Sequence, residues 1–576
     1  MHRQIAGRLT GPVTKWIVLV FWILVVGVSS VYAQKLTEVQ NNEASSWLPA
    51  SAESTKALEK LEPFRDPNAI PTVVVYERTS GLTQDDMATA TDQAAELQEL
   101  DGVEGNVIGP IPSEDGEAMQ TIVTFNLGKN GWNSMPDKVD EIRELAPETD
   151  GLSVHVAGAG GQAADSAQAF EGLDSNLLFS AAGVVILILL LTYRSPVLWL
   201  LPVISAGVAL TTAQAVIYFL AKNYDLTVNG QSQGILTVLV FGAGTDYALL
   251  LIARYREELR RHGNRHDAMA FALHRAAPAI IASAATVVLG MLCLSLAELK
   301  STAALGPVLA IGVAVTFLVM VTLLPALLVI FGRWIFWPKR PAFGSHEPTS
   351  SGMWARVGRW IDPRARTVWI GTAAVLAVAC LGLFQLNATG LSSEEQYTQR
   401  YDSVVGQEVL AEHDLDNNST PIMVVSDVGQ AFEVAAAMED VEGLGDPTGP
   451  EIQSGVALVT APITTDVASQ ASFTTVRHVR DIVHAVPDAD ALVGGASPIL
   501  LDIETASARD NLVVIPIVLL MVLLILALLL RALVSPLLLI GTVVLSFGAA
   551  LGISALIFQH IFGFDHADPA FPLFVF

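Results

Sequence analysis

The sequence predicts an α-helical polytopic membrane protein with two α+β extracytoplasmic domains, built by duplication of one unit. Three observations lead to this fold class. The 576 residues are 52% hydrophobic and only 15% charged, whereas a soluble chain carries about 25% charged residues. Apolar runs of membrane-spanning length recur along the chain, and two long acidic segments interrupt them. Each acidic segment ends in a similar short motif, which indicates the duplication.

Nine apolar runs are long enough to cross a bilayer, since about 20 apolar residues span its hydrocarbon core. The first run follows Arg3, Arg8 and Lys15, so the N-terminus is expected in the cytoplasm. Val31-Tyr32-Ala33 at its end also fits a cleavage site, which leaves a removed signal peptide as the alternative. The runs cover residues 16–33, 176–192, 196–221, 233–253, 278–297, 303–332, 367–386, 511–530 and 536–558.

Charge orients these runs in the membrane. Residues 34–173 hold 25 Asp and Glu against 8 Lys and Arg, and residues 387–509 hold 20 against 4. Most of the other bases fall in connections that alternation places in the cytoplasm, as the positive-inside rule expects. We therefore expect a multi-pass protein of the cytoplasmic membrane with both acidic segments outside.

The duplication is read from one motif and its surroundings. Val156-Ala-Gly-Ala-Gly-Gly-Gln-Ala-Ala-Asp165 aligns with Val493-Gly-Gly-Ala-Ser-Pro-Ile-Leu-Leu-Asp502. Parallel repeats of this kind occur in transporters, with coupling sites at the repeat interface. The predicted segments are helix 1 (1–33), outer domain 1 (34–173), helices 2–6 (174–332), a cytoplasmic linker (333–366), helix 7 (367–386), outer domain 2 (387–509), and helices 8–9 with the start of helix 10 (510–576).

Both outer domains show alternating strand and helix patterns. In the first, strands are predicted near 72–78, 103–109, 120–126 and 152–156, with helices at 84–100 and 135–146. In the second, strands are predicted near 421–426, 456–463 and 491–494, with helices at 429–439 and 470–485. This order predicts a split β-α-β fold of the ferredoxin type. Asp174 and Asp510 are predicted to begin spans, where N-cap or helix-dipole roles are favoured over transport.

An aspartate lies inside the fourth apolar run. Asp246 precedes the basic segment at Arg254 by eight residues, which puts it about 12 Å into the membrane. A carboxylate there costs at least about 2.5–3.5 kcal/mol, so such residues often mark ion or proton pathways. The alternative is that Asp246 pairs statically with a polar group and only stabilises packing.

The neighbours of this aspartate suggest roles around it. Tyr247 can hold it in place through a hydrogen bond to an adjacent helix, and Gly242 and Gly244 permit close helix packing. Ser283 and Thr286, on the fifth run, are weaker candidates to line the same site. Simple packing positions are the alternative for both hydroxyls.

The stretch Gly242-Ala-Gly-Thr-Asp-Tyr-Ala-Leu-Leu-Leu-Ile-Ala-Arg-Tyr-Arg-Glu-Glu258 resembles the fourth-helix signature of the MMPL (mycobacterial membrane protein large) family of the RND superfamily. The repeat plan matches that family over nearly the whole chain. The resemblance implies an RND-type internal duplication with two porter domains, in a bacterial proton-driven exporter. It also implies that Asp246 and Tyr247 form the first of two proton-relay pairs. Thr245 departs from the family, where a bulky aliphatic residue is more usual.

The second relay pair is expected outside this sequence. The offset between Ser195-Pro196 and Ser535-Pro536 places the counterpart of Asp246 near position 586, beyond Phe576. We therefore expect a C-terminally truncated sequence that holds half of the proton pathway and does not pump alone.

The favoured function is proton-motive-force-driven export of a lipid or other hydrophobic or amphipathic small molecule, without enzymatic activity and with protons as the only coupling species. Expected partners are membrane lipids and this substrate, not nucleic acid; homo-oligomers and accessory proteins stay open. Neither a phosphate-binding loop nor Cys/His metal spacing is found in the sequence. The alternatives are multidrug efflux of the large tripartite kind, a sterol-sensing-like lipid-binding protein and a protein-translocation accessory.

Overall fold

The structure is a computed structural model, which is mostly helical and contains two four-stranded antiparallel sheets. It describes residues 11–40, 48–49, 51–64, 66, 68–128, 131–149, 151–193, 195–338, 340–345, 353–391, 399–415, 421–465, 467–564 and 566–576.

The order of elements repeats between the two halves. The first half contains α1 (Thr14–Ala33), α2 (Glu53–Lys60), β1 (Ala69–Glu77), α3 (Gln84–Leu97), β2 (Ile108–Pro112), β3 (Ala118–Asn126), α4 (Gly131–Leu145), β4 (Ser153–Ala157), α5 (Gly158–Tyr193), α6 (Leu200–Tyr224), α7 (Gly230–Arg261), α8 (Arg265–Cys293) and α9 (Lys300–Phe331). The second contains α10 (Met353–Ile361), α11 (Ala365–Ala379), α12 (Asp402–Glu412), β5 (Ile422–Asp427), α13 (Ala431–Met438), β6 (Thr448–Gln453), β7 (Val456–Ala461), α14 (Gln470–His484), β8 (Leu492–Gly494), α15 (Ala496–Leu530), α16 (Val534–Ile557) and α17 (Phe571–Val575).

Eight helices among the described residues are long and apolar enough to cross a membrane. Backbone polar groups must be satisfied within the segment in lipid, which is why these apolar runs are helical. The predicted run 176–192 lies in α5, where the described apolar stretch, Ala182–Thr192, is shorter than a span. The eight are Thr14–Ala33, Leu200–Tyr224, Gly230–Arg261, Arg265–Leu296, Lys300–Phe336, Ala355–Gln385, Ala496–Leu530 and Val534–Phe562.

Helix α9 is central to the bundle formed by the first half, because it packs against α1, α6, α7 and α8. Its buried face includes Val308, Val319 and Leu324, which belong to one apolar core shared with these helices. Trp22 of α1 donates a hydrogen bond from Nε1 to Thr322 Oγ1 of α9 at 3.0 Å. The first helix is therefore a packed member of the bundle.

Each outer domain has the chain order β-α-β-β-α-β. The sheets are ordered β2-β3-β1-β4 and β6-β7-β5-β8, and all their neighbouring strands are antiparallel. The structure places β2 at Ile108–Pro112, so the predicted strand at 103–109 was wrong in position. Gly102 and Gly105 have positive φ, and Val103 makes only an isolated bridge. Strand β6 was not predicted, because it is polar and largely exposed.

The two outer domains exchange a helix. Helix α2, from the first half, packs on the second sheet, where Ala57 and Leu61 share a small apolar core with Val425 and Leu458. Helix α12, from the second half, packs on the first sheet in the same way. Its Val409 and Leu410 join the core of strands β1, β3 and β4. Each sheet is therefore completed by the opposite half of the chain.

Glycine allows this close packing at one contact in each domain. A Cβ atom on Gly494 of β8 would lie 3.0 Å from Ala57 Cβ of α2. A Cβ atom on Gly406 of α12 would lie 2.9 Å from Ala157 Cβ of β4. The two contacts repeat the same geometry with the glycine on opposite partners.

Ion pairs fix α2 to the second domain. Arg480 of α14 makes two hydrogen bonds to Asp502, at 2.7 and 2.8 Å, and its Nε lies 3.1 Å from Glu53 of α2. Asp502 also accepts the backbone amide of Ser54 at 3.1 Å, and Glu53 accepts that of Val493 at 2.8 Å. The motif residues Val493 and Asp502 therefore hold the first turn of a helix from the other repeat.

The first domain has the equivalent arrangement for α12. Arg143 lies 3.1 Å from Asp402 and 3.6 Å from Asp165. Asp165 accepts the amide of Ser403 at 2.8 Å, and Asp402 accepts that of Val156 at 3.1 Å. Burial raises the pKa of Asp402, but hydrogen bonds, that from His155 first, bring it below the usual value. We call this cluster and the one around Arg480 the exchange clamps.

A histidine fixes the other end of α12. Nδ1 of His413 lies 2.6 Å from Asp115 in the β2–β3 hairpin, and Nε2 lies 3.8 Å from Glu77 of β1. Burial lowers the pKa of His413, but Asp115, Glu77 and Glu412 outweigh it and raise the pKa above its usual value. Protonated His413 therefore strengthens the contact between α12 and the first sheet.

Arg480→Ala is expected to destabilise the outer domains by about 3–5 kcal/mol, because it removes the arginine that pairs with the buried Asp502 and the partly buried Glu53. Arg143→Ala should cost less, since Arg143 is more exposed. Thermal unfolding of the purified protein measures both. Arg400→Ala is the control, because its pair with Glu408 lies at the surface and is worth at most about 1 kcal/mol. Equal losses of stability in Arg480→Ala and Arg400→Ala contradict the stabilising role of the exchange clamp.

His413 also predicts a pH dependence. A raised pKa gives stability that is complete below the ordinary value and is lost as pH rises through the raised one. The unfolding temperature of the parent should therefore fall relative to that of His413→Gln as pH rises from about 6 to about 9. A thermal unfolding series over this range measures the difference. Identical pH profiles for the two proteins show that His413 does not contribute through its charge.

Candidate functional site

The candidate site lies on α7, which begins in a capping box. Asn229 accepts the amide of Ser232, and the Ser232 side chain accepts the amide of Asn229. The helix then continues to Arg261 with no proline inside it, and basic residues end it. Asp246 therefore lies near the midpoint of a long membrane helix, as the sequence predicts.

The Asp246 side chain is exposed in the described structure. No hydrogen bond or ion pair joins it to another described residue. The static pairing that the sequence left as an alternative therefore has no partner among the described residues. It interacts electrostatically with the adjacent Tyr247.

Tyr247 points inward, since only 3% of it is exposed. Its hydroxyl interacts with Ser283 of α8, but it has no partner that satisfies hydrogen-bond geometry within the described chain. The structure therefore brings Asp246, Tyr247 and Ser283 together. The Thr286 hydroxyl donates to the carbonyl of Ala282 in its own helix at 2.8 Å, and its place beside the relay stays a prediction.

The two glycines of the motif differ. A Cβ atom on Gly244 would lie 2.8 Å from Met320 Cε and 3.3 Å from Thr316 Cγ2, so α7 and α9 approach closely there. A Cβ atom on Gly242 would meet nothing described within 4 Å. The predicted packing role of Gly242 therefore has no partner among the described residues and stays a prediction. Thr245 is buried and donates to the carbonyl of Phe241 at 2.5 Å.

Asp510 has a role that the sequence did not reveal. It lies inside α15, which starts at Ala496, so it does not begin its own helix. Its carboxylate accepts the amides of Glu298, at 2.8 and 2.9 Å, and of Leu299, at 3.1 Å, just before α9. Asp510 therefore caps a helix of the other repeat, which places a negative charge at the positive end of α9. The side chain of Asp174 lies outside the described side chains.

A cluster of charged residues that the sequence also did not reveal lies at the C-terminal end of α7. Glu258 is only 1% exposed, and its carboxylate lies 3.3 Å from Arg275 of α8 and 3.2 Å from His262. Arg333 donates to the carbonyls of Leu259 and His262 at 2.8 Å. These contacts fix the end of α7. No group of three or more His, Cys, Asp or Glu side chains in the described ranges is arranged to hold a metal ion.

Comparison with known proteins identifies the family to which this architecture belongs. The MMPL family model matches residues 46–368 and 424–576, which is most of the chain. The chain belongs to the MMPL family. One relative is ActII-3 of Streptomyces coelicolor, which is named as a membrane protein. It is 48% identical over 578 residues, which cover 100% of this chain and 81% of ActII-3.

Two further relatives carry names that describe transport. The apo-petrobactin exporter of Bacillus anthracis is 29% identical over 622 residues, which cover 99% of this chain and 83% of the exporter. MmpL12 of Mycobacterium tuberculosis, named as a transport protein, is 31% identical over 339 residues, which cover 58% of this chain and 28% of MmpL12. The resemblance predicted from the fourth helix is confirmed.

The two glycines give a matched pair of variants. Gly244→Val should destabilise the MMPL bundle by about 1–3 kcal/mol, because the new side chain overlaps Met320 and Thr316. Gly242→Val should leave stability unchanged or slightly higher, since it gains helix propensity in open space. Thermal unfolding of the two purified variants makes the comparison. A larger loss at Gly242 than at Gly244 contradicts the assignment of the buried face.

Proposed function

We propose that the chain belongs to a proton-driven exporter of lipids or other hydrophobic or amphipathic small molecules. The observation that carries the proposal is Asp246 at the middle of a membrane helix, where no described residue pairs with its carboxyl, beside the buried Tyr247 hydroxyl, which also lacks a hydrogen-bond partner among the described residues. Membership of the MMPL family and the names of two relatives support a transport function. Transport of this kind is secondary and needs no enzymatic step.

The chemistry follows from the low dielectric of a membrane. A carboxyl group there is more stable neutral than charged, unless water, a cation or hydrogen bonds reach it. Asp246 takes a proton when its surroundings open to the proton-rich side. It releases the proton when hydration arrives from the other side. Tyr247 and Ser283 are placed to offer hydrogen bonds in one of these states.

The outer domains are proposed to be ferredoxin-like porter domains outside the cytoplasmic membrane, with the N-terminus in the cytoplasm. The β-α-β-β-α-β order and the arrangement β2-β3-β1-β4 support the ferredoxin type. The acidic outer segments and the basic connections support the orientation. Helices α5 and α15 run from the sheets into the membrane, so a tilt of either helix moves a porter domain directly.

Asp246→Asn tests the relay in the protein as its host makes it. We expect normal membrane levels and loss of proton-dependent export, because the amide cannot carry a proton across the site. Tyr247→Phe should lower export about fivefold, which corresponds to one hydrogen bond of about 1 kcal/mol. The measurement is accumulation of substrate inside inverted vesicles with an imposed pH gradient.

Thr237→Val is the matched control on the same helix. Thr237 is buried and donates only within α7, to the carbonyl of Gln233 at 3.1 Å, so export should persist. Unchanged proton-dependent export by Asp246→Asn excludes the relay. Lipid binding that does not respond to a proton gradient in the parent favours a lipid-sensing protein instead.

A further inference from the structure

A cavity of about 270 Å³ lies where the outer domains meet the helix bundle. Both repeats contribute to its wall. The first provides the starts of α7 and α9, and the second provides α14, α15 and the segment 568–574. Asp510 holds two of these walls together, because it joins α15 to the residues just before α9. The cavity is therefore framed by a fixed contact between the repeats.

Two buried hydroxyl groups line this cavity without a hydrogen-bond partner in the described structure. Thr302, in the first turn of α9, is 1% exposed, and Ser507 of α15 is 2% exposed. Buried polar groups are nearly always hydrogen-bonded, so each exception needs an explanation. Both residues line the same cavity, so a polar group bound there lies beside both of them.

The charge of the wall restricts what this polar group can be. Among the described residues that line the cavity, Asp568 is acidic and none is Lys or Arg. One oxygen of Asp568 accepts the amide of Ala570 at 2.7 Å, which orients the carboxylate. The positive end of α9 is already occupied by the Asp510 carboxylate. The wall therefore disfavours anionic groups and accepts neutral or cationic ones.

Much of the rest of the wall is apolar, although Gln231, Ser301 and Thr389 also line it. Leu500, Ile503 and Ser507 follow one face of α15, so aliphatic side chains adjoin one of the unpartnered hydroxyls. Phe473 of α14 and Leu299 are nearly fully buried on neighbouring parts of the wall. A site with a few polar groups and an apolar lining is typical of small-molecule recognition. The geometry suits a molecule with an apolar body and one hydrogen-bonding end.

We propose that this cavity binds the polar end of an amphipathic molecule that is neutral or cationic, such as a hydroxyl, amide or ammonium group. It rejects carboxylates and phosphates. The inference rests on the proposed export function, for which it names the substrate class. Thr302 and Ser507 bind the polar group, Asp568 selects against negative charge, and the apolar wall contacts the adjoining chain.

Three fluorescent probes of equal length test the charge preference. Each is an undecyl chain with a dansyl group at one end and an ammonium, a hydroxyl or a carboxylate at the other. Binding to the purified full chain in lipid nanodiscs is followed by the dansyl emission, with empty nanodiscs subtracted. We expect the ammonium and hydroxyl probes to bind at least about fivefold more tightly than the carboxylate probe, from one charge interaction near the surface.

Variants assign the binding to this cavity. Ser507→Leu should fill it and weaken all three probes, and Thr302→Val should weaken the hydroxyl probe about fivefold by removing one hydrogen bond. Asp568→Asn should remove the difference between the ammonium and carboxylate probes. Ser205→Ala is the control, because Ser205 of α6 is also a buried and unpartnered hydroxyl but does not line the cavity.

Two results overturn the proposal. One is that the carboxylate probe binds the parent protein as tightly as the ammonium probe does. The other is unchanged probe binding in Ser507→Leu and Thr302→Val, which shows that the cavity holds water only. Binding needs no proton gradient, so Asp246→Asn should bind the probes as the parent does. If the export experiment contradicts the relay while the probes still bind selectively, only the export mechanism fails. If the export experiment supports the relay while the probes show no selectivity, only this site fails.

Discussion

The capping of helices by carboxylates of the opposite repeat is the interaction on which the outer part of the molecule depends. Asp165 and Asp502 each accept a backbone amide from the first turn of a helix that belongs to the other half. Unpaired amides at a buried helix start are unfavourable, so each exchanged helix requires the other repeat in order to dock. The arginines at positions 143 and 480 then neutralise the carboxylates gathered around these caps.

The same device recurs nearer the membrane. Asp510 lies two turns beyond Asp502 on α15 and caps the residues before α9. One helix of the second repeat therefore holds an outer helix and a membrane helix of the first. Ser507 lies between these two anchors and faces the cavity. A rigid-body movement of α15 reaches the outer domains, the cavity wall and the end of α9 together.

The sequence was informative where a structural requirement produces a recognisable pattern of residues. Long apolar runs gave the membrane helices, and the position of Asp246 near the middle of α7 followed from its distance to Arg254. The motif around Asp165 and Asp502 revealed the repeat, although its structural meaning was not visible. Its residues are similar because both copies cap the same turn of equivalent helices.

Other features could not be read from one sequence. Helices α2 and α12 are short, and their docking sites lie in the opposite half of the chain, so neither periodicity nor spacing indicates the exchange. Strand β6 is an exposed edge with polar residues, which removes the hydrophobic signal. The difference between Gly242 and Gly244 depends on which face of α7 meets α9, and a pattern of small residues does not specify that face.

The exchanged helices also impose an order on synthesis. The first sheet emerges from the ribosome with one apolar face uncovered, and α12, which covers it, follows only after the whole first bundle has been made. The hydrogen bond between Glu53 and Val493 joins residues 440 positions apart. Contacts this distant form slowly and leave apolar surface open to aggregation. The first outer domain therefore cannot reach its final form until α12 has been translated, and the second, whose sheet follows α12, is finished later still. The two halves of the gene cannot be separated without leaving each product unfinished.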